Sequence, residues 1–438
     1  MDIAQRLDRL PVVSMHWAIL IATGIGWLFD SMDVGLVSFV MPALQKDWGL
    51  SPSELGLIGS IGMVGMAVGA AMSGMLADKY GRRKVILYTL VLFGLATGLA
   101  GLAGGLVTML LARFLVGLGL GGELPVASTL VSEISPRSVR GRFVVLLESF
   151  WAWGWIAAAL IAYLLIPQYG WRVAFYIGAV PALLAVFLRK AIPESPRFLA
   201  QQGRYQEADD IVSRMEKQAS IELKEKDKSW VSTKVQRVTF AELWSSTMWR
   251  RTLTLWVLWL GINFGYYGFV MWIPTLLVGK GFVIIKSLQY VLLMTLAQIP
   301  GYFTAAYLIE VIGRKAVLVI YLAGTAVAAY FFGQSNTVTE IMILGSLLYF
   351  FSLGAWGAVY AYTPENYPTV SRGTGVGWAA AVGRIGSIAA PYLVGVVYQA
   401  QGKEHGYEVV FLMLTVVFAL TALVVLVLGK ETKGESLA

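Results

Sequence analysis

Asp78-Lys79-Tyr80-Gly81-Arg82-Arg83 and Glu310-Val311-Ile312-Gly313-Arg314-Lys315 share one pattern, acid-x-x-Gly-Arg-base, and 310 − 78 is 232. The same offset carries Glu133 with Arg140-Gly141 onto Glu365 with Arg372-Gly373, since 365 − 133 is again 232. Each motif joins two long apolar segments, so the duplication includes helices as well as loops. A repeat of this kind marks two similar helix bundles related by an axis along the membrane normal.

The rest of the chain extends that reading. Its 438 residues are 57% hydrophobic and 14% charged, with a mean hydropathy of +0.69, too apolar for a soluble protein to cover with polar surface. Runs of about 20 apolar residues, the length that crosses a bilayer, fall near 16–43, 54–77, 84–105, 107–133, 142–166 and 171–189. A second set falls near 252–278, 287–309, 316–334, 339–362, 373–399 and 407–428. The expected fold is an all-α integral membrane protein with 12 transmembrane helices in two pseudo-symmetric six-helix bundles, residues 1–190 and 251–438. Between them, 191–250 reads as a cytoplasmic loop. There Ser195 to Gln218 sets Phe198, Leu199, Ala208, Ile211, Val212 and Met215 at helical spacing, and Phe240 to Arg251 forms a second amphipathic piece. Ile221 to Thr239 is charged and without apolar rhythm, which reads as a linker.

Lys and Arg set the orientation. Arg6, Arg9, Lys79, Arg82, Arg83, Lys84, Arg137, Arg140, Arg142, Arg314, Lys315, Arg372, Lys430 and Lys433 share one side if the helices alternate, against Lys46, Arg172, Lys280, Lys286 and Lys403 on the other. Both termini are then cytoplasmic, in a cytoplasmic (inner) membrane. The formal charge of +8 suits anionic lipid, an expected partner; no basic, aromatic-interleaved soluble domain accompanies it, so nucleic acid is not expected.

Several chemistries are excluded. The chain has no cysteine and only His16 and His405, so no disulfide framework or thiolate metal site is expected, and no cofactor. The first apolar stretch leads into a whole bundle and reads as a span, not a cleavable signal. G-x-S-x-G, H-E-x-x-H and P-loop motifs are absent, which argues against an enzyme and against transport driven directly by ATP. A ligand sensor would normally attach a signalling domain, and the only soluble stretch is the central loop. The reading that remains is a carrier, expected to be monomeric, for a small molecule.

Gly74-x-x-x-Asp78-x-x-Gly81-Arg82-Arg83 resembles the loop signature of the major facilitator superfamily, and Pro193-Glu194-Ser195-Pro196-Arg197-Phe198-Leu199 resembles the motif after the sixth helix in its sugar and organic-ion branches. Gly26-Trp27-Leu28-Phe29-Asp30-x-Met32-Asp33-Val34-Gly35, the run Gly121 to Glu133 and Gly354-Ala355-Trp356-Gly357 are similar to the bacterial niacin transporters of that superfamily. The resemblance spans nearly the whole chain. It implies secondary active import by alternating access of nicotinate or a similar small aromatic monocarboxylate, with proton symport. An uncoupled facilitator, or a carrier of another organic ion or a sugar, is the alternative.

Charge placement suggests where each role falls. Asp78, Arg82, Glu133 and Arg140, with their counterparts Glu310, Arg314, Glu365 and Arg372, bracket helix ends with opposite charges; such clusters can gate the cytoplasmic side, and the plainer alternative is that they only fix topology and helix ends. Within the spans, where an ionised side chain costs at least about 2.5 to 3.5 kcal/mol, stand Asp30, Asp33, Arg113, Glu123, Glu148 and Arg384. Asp30 and Asp33 share roughly one face of the first helix, and Arg113 can pair with them. The sugar-porter resemblance implies a proton-coupling role for Asp33 with Arg113, with Asp30 beside them.

Counting from the repeated Arg-Gly puts Glu148, 148 − 140 or 8 residues on, and Arg384, 384 − 372 or 12 residues on, at similar depth in equivalent helices. The family resemblance places Glu148 where sugar porters hold a substrate-binding amide and Arg384 where organic-ion carriers oppose the substrate's charge, which implies an anionic substrate. Trp27, Trp151, Trp153, Trp155, Tyr266, Tyr267, Trp272, Trp356, Tyr360 and Tyr362 crowd this depth. Of these, Trp151, Tyr267, Trp356 and Tyr360 are taken with Arg384 and Glu148 as the expected substrate site: a flat ring with a carboxylate would be held by a guanidinium fork and by stacking.

Overall fold

A computed structural model describes residues 3–136, 139–180, 183, 192–221 and 240–433 of the chain; the side chains of Asp78, Arg140 and Arg372 lie outside the described set. The described residues form helices α1 (Ile3–Arg9), α2 (Ser14–Trp48), α3 (Pro52–Tyr80), α4 (Arg82–Gly101), α5 (Leu106–Ile134), α6 (Arg140–Tyr169) and α7 (Arg172–Gly178). They continue with α8 (Pro196–Gln201), α9 (Tyr205–Gln218), α10 (Trp249–Val270), α11 (Ile273–Gly279), α12 (Ile284–Thr295) and α13 (Gln298–Val311), then α14 (Arg314–Gln334), α15 (Val338–Glu365) and α16 (Thr369–Leu428). Among the described residues, 11 segments are long and apolar enough to cross a membrane. The expected sixth span, 171–189, lies partly outside the described residues, as does most of the linker expected at 221–239.

Prolines explain where the helices depart from the sequence expectation. The run expected at 252–278 breaks between α10 and α11, because the ring of Pro274 can neither donate to the carbonyl of Val270 nor fit beside it. The run expected at 287–309 breaks at Leu296-Ala297, four residues before Pro300, for the same reason. Conversely, the spans expected at 373–399 and 407–428 run on as α16, interrupted only at Gly402, where φ is 71°.

The central segment is more finely divided than expected. Phe198, Leu199, Ala208, Ile211, Val212 and Met215 are all buried, but on two helices, α8 and α9, separated at Gly203 with φ 75°. Phe240–Trp244 is a 3-10 turn and the chain turns again before α10 begins at Trp249. The short α1 docks here as well: Arg6, 1% exposed, reaches Asp209 at 2.6 Å and Glu216 at 2.8 Å on α9.

Two compact units divide the chain, one of residues 1–34, 64–155 and 175–235, the other of 35–63, 156–174 and 236–438. In the first, α3 and α5 touch backbone to backbone, since a Cβ on Gly65 or Gly69 would overlap the carbonyl of Phe114 or Leu118. In the second, the start of α3 is bolted into α16. Pro391 breaks the hydrogen-bond ladder of α16, and the Ser60 hydroxyl enters the gap, donating to the Ile388 carbonyl at 2.6 Å and accepting from the Tyr392 N–H at 3.1 Å. Gly56 lies one turn earlier against the Pro391 carbonyl, with no room for a side chain.

Candidate functional site

The charged residues buried in the first unit come from α2 and α5. Asp30 and Asp33 are fully buried, three residues apart on α2, and Arg113 is 3% exposed on α5. The Arg113 guanidinium meets Asp33 at 2.8 Å, and the Thr97 hydroxyl of α4 donates to the other Asp33 oxygen at 3.1 Å. Three helices thus converge on one carboxylate. A buried ion pair stays favourable only while both members keep their charge, so a proton arriving on Asp33 would free Arg113. In the same unit Trp27 packs on Trp151 with ring centroids 4.8 Å apart, and Glu148 on α6 is half-buried.

The second unit holds the other expected substrate residues. Trp356 and Tyr360, one turn apart on α15, stack at 5.7 Å, and Tyr266 meets Trp356 edge-on at 6.0 Å and Tyr267 at 5.4 Å. Trp259 of α10, absent from the sequence-based set, closes this cluster, 5.8 Å from Trp356 and 5.6 Å from Tyr360. Its own N–H is spent on the Thr363 hydroxyl at 2.9 Å, whereas the buried Trp356 N–H has no protein acceptor. Arg384 follows Gly383, which packs directly on Asn263 and Trp259, so its helix passes the cluster. Arg384 is half-buried and pairs with no described carboxylate. Such a group can hold a ligand anion without first giving up an internal partner.

The repeated loops are built alike. Gly81 and Gly313 have φ of 101° and 98°, a conformation that glycine adopts freely and other residues resist, and each leads into a helix whose first N–H groups lack intrahelical partners. Glu194 accepts from the backbone N–H of Arg82 at 2.9 Å and of Arg83 at 3.4 Å; Glu431 accepts from Arg314 at 2.9 Å and Lys315 at 3.1 Å. The arginines repeat each other too. Arg82 donates to Glu133 and to the Ala77 carbonyl, both at 3.1 Å; Arg314 donates to Glu365 at 3.0 Å and to the Ile309 carbonyl at 3.1 Å. The hydroxyls of Ser195 and Thr432 donate to Glu133 and Glu365, while Glu310 pairs with Arg314 at 3.0 Å from an exposed position. Partial burial would raise the pKa of Glu431, but the N–H groups of Lys433, Arg314, Thr432 and Lys315 outweigh it and hold the carboxyl below its ordinary value of 4.5.

Sequence reading gave no role to Glu194, Ser195, Glu431 or Thr432. The available signal was an acid followed by a hydroxyl residue beyond the last span of each half.

One loop design is used twice, and among the described residues every regular element is a helix. Residues 17–438 match the sugar (and other) transporter family. The chain belongs to that family, a branch of the major facilitator superfamily. Among its members, the niacin transporter NiaP of Acinetobacter baylyi is 48% identical over 437 residues, spanning 100% of this chain and 99% of its own. A putative niacin/nicotinamide transporter NiaP of Bacillus subtilis is 45% identical over 414 residues, 94% of this chain and 96% of its own. The solved D-xylose-proton symporter shares the fold, with a TM-score of 0.75 at 20% identity over 97% of this chain and 100% of that one. As a family member, the chain is a multi-pass membrane transporter of a small molecule and not an enzyme.

Proposed function

We propose that the chain imports nicotinate, or a closely similar aromatic monocarboxylate, across the cytoplasmic membrane by alternating access with proton symport. The observation that carries this reading is the half-buried Arg384, without a described carboxylate partner, on a helix that packs beside Trp259, in the cluster with Trp356 and Tyr360. A guanidinium fork suits a carboxylate, and an aromatic wall suits a pyridine ring. The unpartnered Trp356 N–H offers one further donor. Tyr267 supports that wall.

Asp33 and Arg113 would carry the coupling. A proton on Asp33 breaks its attraction to Arg113 and changes which arrangement of helices is favoured, so gradient and substrate can bias one equilibrium. The charge sets of Asp78, Arg82, Glu133 and Arg140, and of Glu310, Arg314, Glu365 and Arg372, would close the cytoplasmic side. The halves 1–190 and 251–438 would move against each other in a monomer embedded in lipid, with 191–250 and both termini in the cytoplasm.

Uptake of labelled nicotinate into proteoliposomes, with and without an imposed pH gradient, tests the reading. Accumulation above the outside concentration only with the gradient is expected. Equilibration without accumulation would make the chain a facilitator; no uptake would remove nicotinate.

A further inference from the structure

A second acid pair lies in the first unit, one turn along α2 from Asp33. Asp30 is fully buried and Glu123, on α5, is 1% exposed. Their carboxyls lie within hydrogen-bonding reach of each other, and none of the four oxygens accepts from a protein donor. The Glu123 carboxyl passes directly over Gly26, one turn before Asp30, where any side chain would overlap it. The glycine leaves α2 bare along the path by which Glu123 reaches Asp30.

Among the described residues, no cation pairs with these two carboxyls. Asp33 adds a further negative charge beside Asp30, and Arg113 is already committed to Asp33. Described residues of α6 that meet this stretch of α2 include Phe150, Trp151 and Gly154, all uncharged; on the other side of α5, Gly122 meets Ser73 of α3 and Thr89 of α4. Two carboxyls buried side by side without a protein donor do not both ionise, so the arrangement requires a proton between them.

We propose that Asp30 and Glu123 share a proton and form the second station of a relay along α2, loaded from Asp33. Asp33 gives up its proton and regains its ion pair with Arg113; the Asp30–Glu123 pair accepts that proton, passing from one shared proton with net charge −1 to two protons and neutrality. The pair then returns one proton to water on the cytoplasmic side. Three residues of helix move the proton about 4.5 Å along the axis, toward the end of α2 proposed to be cytoplasmic. The relay rests on the symport reading, whereas the shared proton does not.

Infrared spectroscopy of the full chain in liposomes, without substrate, reads the shared proton directly. At neutral pH the parent should show a protonated-carboxyl C=O band that is lost in both Glu123→Gln and Asp30→Asn, because an amide can donate to the remaining carboxylate in place of the proton. A parent without that band, or a protonated-carboxyl absorbance that both variants leave undiminished, overturns the proposal even if a variant folds poorly, since any contribution of Glu148 on α6 is common to all three proteins. Nicotinate uptake then tests the relay. Glu123→Gln should lose gradient-driven accumulation; if it accumulates nicotinate as the parent does, the relay is wrong and the symport reading stands. A parent that shows the band yet never accumulates nicotinate overturns relay and symport together and leaves the shared proton.

Discussion

The Ser38 hydroxyl donates to the Val270 carbonyl at 2.7 Å, and the two residues are 232 positions apart, the repeat offset itself. A residue can touch its own symmetry counterpart only on the axis that relates the copies, so this bond marks where the pseudo-twofold axis passes through the second unit. The acceptor is free because Pro274 cannot donate to it. A break in α10 on one side of the repeat is thus satisfied by a hydroxyl from α2 on the other.

The same unit contains the bolt of Ser60 into α16, and the contact there depends on Gly56. Gly56→Leu should force α3 off the Pro391 carbonyl, and Ser60→Ala should leave a buried donor and acceptor unsatisfied at a cost of about 1–3 kcal/mol. The chain has no native cysteine, and Ser53 bonds Gln399 across the junction at 3.2 Å. A Ser53→Cys/Gln399→Cys pair should therefore cross-link readily in the parent and severalfold more slowly with Gly56→Leu. Equal rates would show that the junction does not depend on the glycine.

Arg384→Ala should abolish nicotinate binding in calorimetry while the purified protein stays monodisperse. Arg384→Lys should recover little, since an ammonium keeps the charge but loses the planar fork. Undiminished affinity in the alanine variant would place the carboxylate elsewhere.

Asp33→Asn keeps the shape that Thr97 and Arg113 surround but removes the titrating group. Uptake driven by a pH gradient should be lost, and exchange of labelled for unlabelled nicotinate should persist. The comparison is made in the same vesicles, and continued accumulation with the gradient as sole driving force would move coupling away from Asp33.

Glu431→Gln should lower stability by about 1 kcal/mol at neutral pH, the scale of a helix cap with a charge on it. Because the folded carboxyl titrates below its ordinary value of 4.5, its contribution is fully present above that value and is lost as the pH falls through the depressed one. Melting curves of parent and variant should therefore differ at neutral pH and converge in acid. A difference that persists unchanged at low pH would assign the effect to packing.

The spans, the duplication and the loop motifs were legible in the sequence because each depends on local composition or on a fixed offset. The helix breaks were half legible: Pro274 and Pro300 were visible, but a hydropathy run conceals that the break falls four residues earlier, at the orphaned carbonyl. The capping roles of Glu194 and Glu431 escaped for a different reason. They are 431 − 194 or 237 residues apart, five more than the repeat offset, so a ruler of fixed length passes over the second. Trp259 was overlooked among many aromatics, since only packing distinguishes a residue against Trp356 from one facing lipid.

The caps also fix the order in which the chain can mature. Arg82 waits for a carboxylate 112 residues further on, and Arg314 for one 117 residues further on. During synthesis each loop remains open at its helix start until the rest of its own half has been made and threaded, and closing so long a loop is entropically slow. Completion of a loop therefore comes after insertion of its half, and a chain stalled between the two would leave the helix start behind each glycine turn without its carboxylate.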